Sequence, residues 1–182
     1  MTLLERALVA EVPADSDHIL DAALALAAAS GLRHLTMDDV ARRAGVGRMT
    51  VYRRFGTRDA LVDALAGREA RRCLAELDAA SSPAAPLGEQ VTAGFTTALR
   101  LSREHPLLAR LARVEPDVVL ETFATGPLFG LCVAFVADRL RRAGGAPDAA
   151  ELLVRVALSF VLLPETRLDV DQAAGSLTAL VA

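Results

Sequence analysis

At 182 residues and 53% hydrophobic side chains, the chain can bury roughly 70% of its unfolded surface in a core of its own. Its longest uncharged run, Thr122 to Ala137, is interrupted by Gly126-Pro127 and is too short to span a bilayer. The 20 basic residues are all Arg and the net charge is −3, with one Arg against five acids in residues 1–30, ten against five in 31–72, and nine against thirteen in 73–182. An acidic chain with one basic block excludes general coating of nucleic acid and points to one local polyanion site.

In chain order, residues 1–14 form an arm or an extra helical turn ending near Pro13. Glu5 and Glu11 interrupt its apolar residues, so no signal peptide is read, and the expected compartment is the cytoplasm. The first firm helix is expected at Ser16–Ser30, where Ile19, Leu20, Ala23, Leu24, Ala27 and Ala28 recur at helical spacing before Gly31. Thr36 with Asp39 three residues later marks a capped helix from about Met37, closed by Gly45. A second short helix runs from about Gly47 to Arg54. Val51 and Phe55 fall on its inner side with Val40 and Val46, leaving Arg48, Met49, Tyr52 and Arg53 as one outward cationic face. Two short helices around a glycine turn, the second with exposed Arg, Thr and Tyr, are the arrangement that places a helix in the DNA major groove. The bland alternative is an ordinary solvated Arg-rich face. Gly56 and Thr57 stop this helix and cap the next.

The run Ala44-Gly45-Val46, Thr50-Val51-Tyr52, Phe55 and Thr57-Arg58-Asp59-Ala60-Leu61 resembles the DNA-binding domain of the tetracycline-repressor (TetR) family over about residues 17 to 65. Gly47 departs from the family pattern where a capping Ser is common, and Met49 where a small residue is common. The resemblance implies an all-α homodimer that binds a double-stranded DNA operator and is released from it by a small molecule acting through the long helix after Thr57. The residues read as facing DNA are Thr36, Arg48, Met49, Thr50, Tyr52, Arg53 and Arg58. Thr36, Thr50, Tyr52 and Arg58 are expected on phosphates, and Arg48 and Arg53 on base edges.

That long helix is expected from Thr57 to about Ala80, ahead of the Ser81–Pro86 break. It divides a helix-turn-helix head, residues 1–62, from a helical effector-binding and dimerisation body, residues 63–182. Further helices are expected at Leu87–Glu104, from Pro106, from Pro116, at Pro127–Arg142, at Asp148–Leu163 and at about Val170–Val181. The proline-punctuated middle suits a pocket for an apolar or amphipathic effector, lined by Phe95, Leu99, Leu107, Leu111, Phe123 and Phe129; the same residues would also serve as plain core. The helices from Pro127 and Asp148 are apolar nearly all round, so Gly130, Ala134, Leu152, Val156, Phe160 and Leu163 are read as the dimer interface.

Cys73 and Cys132 stand alone, without metal-ligand spacing, and read as free thiols. No nucleophile-elbow, metalloprotease, complete phosphate-loop or dinucleotide motif is present, and only three histidines occur, so neither enzyme activity nor a cofactor is expected. The expected function is a DNA-binding transcriptional regulator, a repressor in type. The alternatives are a ligand-independent helical adaptor, which leaves the exposed Arg48, Tyr52 and Arg53 without a role, and an all-helical enzyme without a known motif.

Overall fold

The computed structural model describes residues 12–80, 82–115, 117, 127–163 and 169–181, and every regular element among them is helical. Residues 1–11 of the arm, the helix expected from Pro116 with Val119, Leu120 and Phe123, and Pro164 lie outside the described residues.

Helix α1 spans Asp17–Ser30, followed by a 3-10 turn at Leu32–His34. Helix α2 spans Met37–Ala44; Thr36 Oγ1 accepts the Asp39 N–H at 3.1 Å, and Gly45 takes the left-handed φ of 68° that ends it. Helix α3, Arg48–Phe55, begins at Gly47, which has no side chain to cap it. Thr57 Oγ1 then accepts the Ala60 N–H at 3.1 Å and starts α4, Arg58–Ala79. These caps fall where the hydroxyls and glycines of the sequence put them, because each satisfies backbone groups that a helix end leaves open.

Helices α1 to α4 meet in one core in which Ile19, Leu20, Leu35, Val40, Val51, Leu61 and Leu65 are buried, and Phe55 closes its edge. This core continues along α4 and takes in Leu107 from α6, Pro106–Val114. At 22 residues, α4 is about 33 Å long and reaches from the head into the body.

The second core joins α5, Leu87–Glu104, to α7, Pro127–Arg142, α8, Ala150–Leu162, and α9, Val170–Val181. Val91, Phe95 and Leu99 face inward as the spacing predicts. Helix α9 lies close on α5 at Gly88, where a Cβ would come within 2.7 Å of Thr178 Cγ2. The expected single helix from Asp148 is instead a 3-10 turn at Pro147–Ala149 leading into α8.

The interface residues read from the sequence do not share one face. Phe160 is 7% exposed and its ring meets that of Phe95 edge-on at 5.5 Å, while Val156 is half-buried against the same core. Leu152 and Leu163 are 46% and 70% exposed, and Gly130 and Ala134 are also exposed. The reason is geometric: steps of four residues advance a row by about 40° beyond a full turn each time, so Phe160 lies about 80° round α8 from Leu152, turned into the second core.

Candidate nucleic-acid interface and internal cavity

Helix α3 presents Arg48, Met49 and Arg53 to solvent, with Met49 75% exposed, while Val51 and Phe55 hold its other side in the core. Tyr52 is half-buried against that core and its hydroxyl accepts from Arg48 Nη2 at 3.3 Å. The Arg48 guanidinium also lies 5.1 Å from the Tyr52 ring centroid, and its Nε is 2.9 Å from Asp38 Oδ1 at the start of α2. The Tyr52 hydrogen bond and the Asp38 charge raise the Arg48 pKa further, so it is a cation throughout. Both members of the Arg48–Asp38 pair are more than half exposed, and such pairs contribute only about 0–1 kcal/mol, so a phosphate or guanine edge can take Arg48 at small cost. Arg53 has no hydrogen bond or ion pair among the described residues. Arg54, on the other side of α3, turns back to donate to Ala14 O and Ser16 Oγ.

Two residues expected on phosphates are engaged inside the protein. Arg58 donates through Nη2 to Leu32 O at 2.6 Å, through Nε to Leu35 O at 2.9 Å, and through Nη1 to Asp59 Oδ1 at 2.9 Å. It therefore clamps the 3-10 turn onto the start of α4, with its donors directed at these partners. Spacing placed it at a helix start but could not show the carbonyls of residues 32 and 35 facing it. The Thr36 hydroxyl accepts the Asp39 N–H and donates to Asp39 Oδ2 at 2.6 Å, so its first role is the α2 cap. Thr50, half-buried in the first turn of α3, stays beside the outward face.

The body contains a cavity of about 330 Å³ between α4, α5, α6, α7 and α8. Phe95, Leu107 and Leu111 line it. Leu99 does not, since it points into the second core at 2% exposure, and Phe129 lies away from the lining with the Arg155 guanidinium 4.8 Å from its ring centroid. Cys73 and Cys132 both face the cavity, and desolvation pushes each thiol up to about 11, in Cys73 with help from the Glu69 and Glu76 charges. Such thiols are protonated and poorly nucleophilic at neutral pH.

The cavity's polar groups include a buried network that spacing did not reveal. Glu69 Oε2 is 3.0 Å from His105 Nε2, and Glu69 Oε1 accepts from Arg68 Nε at 2.7 Å. Arg68, itself buried, also bonds Asp17 O at 3.1 Å and Asp21 Oδ1 at 2.9 Å on α1. Burial pushes the Glu69 carboxyl up, but hydrogen bonds from His105 and Arg68 and the charges of Arg68 and Arg72 outweigh it and hold Glu69 below the usual carboxylate range. A Glu among Ala, Leu and Arg on a helix reads as surface; only the closure of α6 over α4 buries it. Among the described residues no cluster of His, Cys, Asp and Glu could hold a metal, and no helix is long and apolar enough to cross a membrane.

A capped helix-turn-helix with a cationic second helix, carried on a helical body with an internal apolar cavity, defines the class of helix-turn-helix regulators. The model of bacterial regulatory proteins of the tetR family matches residues 19–65. The HTH-type transcriptional regulator AlkX of Mycobacterium tuberculosis is 31% identical over 158 residues, 81% of this chain and 75% of that one. An uncharacterized HTH-type transcriptional regulator of the same species is 36% identical over 94 residues, 52% of this chain, and this match spans only 46% of that relative's length. Among solved structures, the TetR family repressor AlkX from a Dietzia species is similar over 93% of this chain and 94% of that one, with a TM-score of 0.62 and 28% identity. A TetR family protein from Vibrio parahaemolyticus shares the fold, with a TM-score of 0.66 and 23% identity over 91% of this chain and 97% of that one. The chain belongs to the TetR family of bacterial regulatory proteins.

Proposed function

We propose that this chain is a homodimeric transcriptional repressor that binds a double-stranded DNA operator through α3 and releases it when a small apolar or amphipathic molecule enters the cavity. The observation that carries the reading is the exposed Arg48, Met49 and Arg53 face on a helix whose opposite side is locked into the head core. Residues 1–62 act as the head and 63–182 as the effector-binding and dimerisation body. The related Dietzia AlkX repressor is implicated in biodegradation of n-alkanes, which supports an apolar effector for a cavity walled mainly by Leu, Ala, Val and Phe.

Arg53 is the leading base reader, since it is the one α3 cation of the outward face without a competing partner among the described residues. Arg53→Ala should cost on the order of 1–3 kcal/mol of operator affinity and relax preference at particular base pairs. Gel retardation with DNA from the region upstream of the chain's own coding sequence, followed by selection from an operator library, measures both. Failure of the wild-type protein to retard that DNA at moderate salt, or of any library member to be enriched, sinks the operator reading.

The exposure of Leu152, with Gly130 and Ala134 on α7, supports a dimer surface at these residues. Ala134→Arg and Leu152→Arg should each yield folded monomer by light scattering, because association would bury an unpaired charge. Phe160→Arg places its charge in the core and should instead lose the folded state. Retention of the dimer by both surface variants would move the interface elsewhere.

A further inference from the structure

We propose that the Glu69–His105 pair is the polar anchor of the cavity and selects an uncharged, otherwise apolar ligand bearing a hydroxyl group, in preference to a carboxylate of the same chain length. The inference rests on the reading that the cavity takes an effector.

The polar groups at its wall decide the chemistry. Arg139 is held by the carboxylate and the carbonyl of Asp78 at 2.9 and 2.8 Å, and Gln90 Nε2 donates to Ala85 O at 2.8 Å. Ser102 Oγ donates to Leu99 O at 2.7 Å. His105 Nδ1 accepts the Leu108 N–H at 3.4 Å, so the ring proton sits on Nε2 and is donated to Glu69 Oε2. An entering carboxylate would therefore meet the ionised Glu69 and no unengaged donor of positive charge among these groups. Stripping its water in such a place is costly.

A hydroxyl meets the opposite situation. A carboxylate has about four acceptor positions, and Oε2 of Glu69 has only the His105 contact, whereas Oε1 serves Arg68 at 2.7 Å and Arg72 at 3.5 Å. A ligand O–H can donate to Oε2 while its hydrocarbon part lies along Phe95, Leu111 and Leu158. An ammonium group would lose its hydration beside an anion whose charge Arg68 already balances, so a neutral donor fits better.

Isothermal titration at pH 8 with 1-decanol, decanoate and decyl methyl ether tests this on the intact chain. Decanol should bind on the order of ten-fold tighter than decanoate, and about five-fold tighter than the ether, which has the chain but no donor. Glu69→Gln should bring decanol and decanoate within about three-fold of each other by removing the repulsion. Cys132→Phe, which fills cavity space on α7, should weaken all three probes without changing their order. Decanoate or the ether binding as tightly as decanol to the wild-type chain overturns the proposal, and this comparison needs no variant to fold. A decanol preference that survives intact in folded Glu69→Gln also overturns it. If none of the probes binds while operator DNA is still retarded, the anchor is wrong and the DNA-binding reading stands. If decanol is preferred but no operator is retarded, the DNA-binding reading fails and the anchor stands.

Discussion

Arg68→Ala should destabilise the folded chain by roughly 3–5 kcal/mol, because it leaves the buried Glu69 carboxylate without its closest cation. The other ion pairs of Arg68 matter less: Asp17 and Asp21 are 76% and 60% exposed at their side chains and remain solvated when Arg68 is lost. For a chain of this size the loss corresponds to a fall in Tm on the order of 10 °C. The pH dependence gives the sign. The Glu69 pKa is lowered in the folded chain, so its contribution is present above the ordinary carboxylate value and is lost as pH falls through the folded value. The difference between wild type and Arg68→Ala should therefore be largest near neutral pH and shrink in acid. Urea unfolding at neutral and acidic pH measures it, and a neutral-pH difference under about 1 kcal/mol would show that Glu69 does not depend on Arg68. Because Arg68 also holds Asp17 O, a folded Arg68 variant should bind operator less tightly even though Arg68 is remote from α3.

The second large effect is expected at Arg58. Arg58→Ala removes a donor from both Leu32 O and Leu35 O; Leu32 O keeps the Leu35 N–H at 3.2 Å, but Leu35 O loses its donor, and an uncovered buried acceptor costs about 1–3 kcal/mol. The head should melt earlier, while the slope of log affinity against log salt should stay near that of wild type, since no phosphate contact is lost. A phosphate contact would behave in the reverse way: stability unchanged and the slope reduced by about one. Thermal unfolding and salt-dependent retardation, measured on the same variant, separate the two roles. A wild-type Tm together with a flattened slope would restore Arg58 to the DNA surface.

Arg58 shows how far sequence reading reached in the head. Thr36, Gly45, Thr57 and the Val51–Phe55 pair were legible because caps, turns and short-range periodicity act over three or four residues, and α2, α3 and α4 begin and end within a residue of where those signals put them. Arg53 and Met49 were legible for the same reason, as the outward side of a helix whose inward side was already assigned. Whether an exposed-looking Arg faces DNA or folds back depends on carbonyls from another element. The Leu32 and Leu35 oxygens are more than twenty residues away from Arg58, and no local pattern reports them.

In the body the limit came sooner. Apolar spacing located α5, α7, α8 and α9, since a helix that must be covered has to repeat its hydrophobic residues. It did not assign those residues among core, cavity and outer surface, because all three use the same Leu, Val and Phe. Leu99 and Phe160 went to core, Leu111 to the cavity and Leu163 to solvent. The sequence by itself determined an all-helical chain with a capped, cationic helix-turn-helix, for these follow from near-neighbour chemistry along one strand of backbone. Only the tertiary structure decided that Glu69, Arg68 and His105 form one buried network between the cavity and α1, since burial of a charge is set by what closes over it from a helix 36 residues further along the chain.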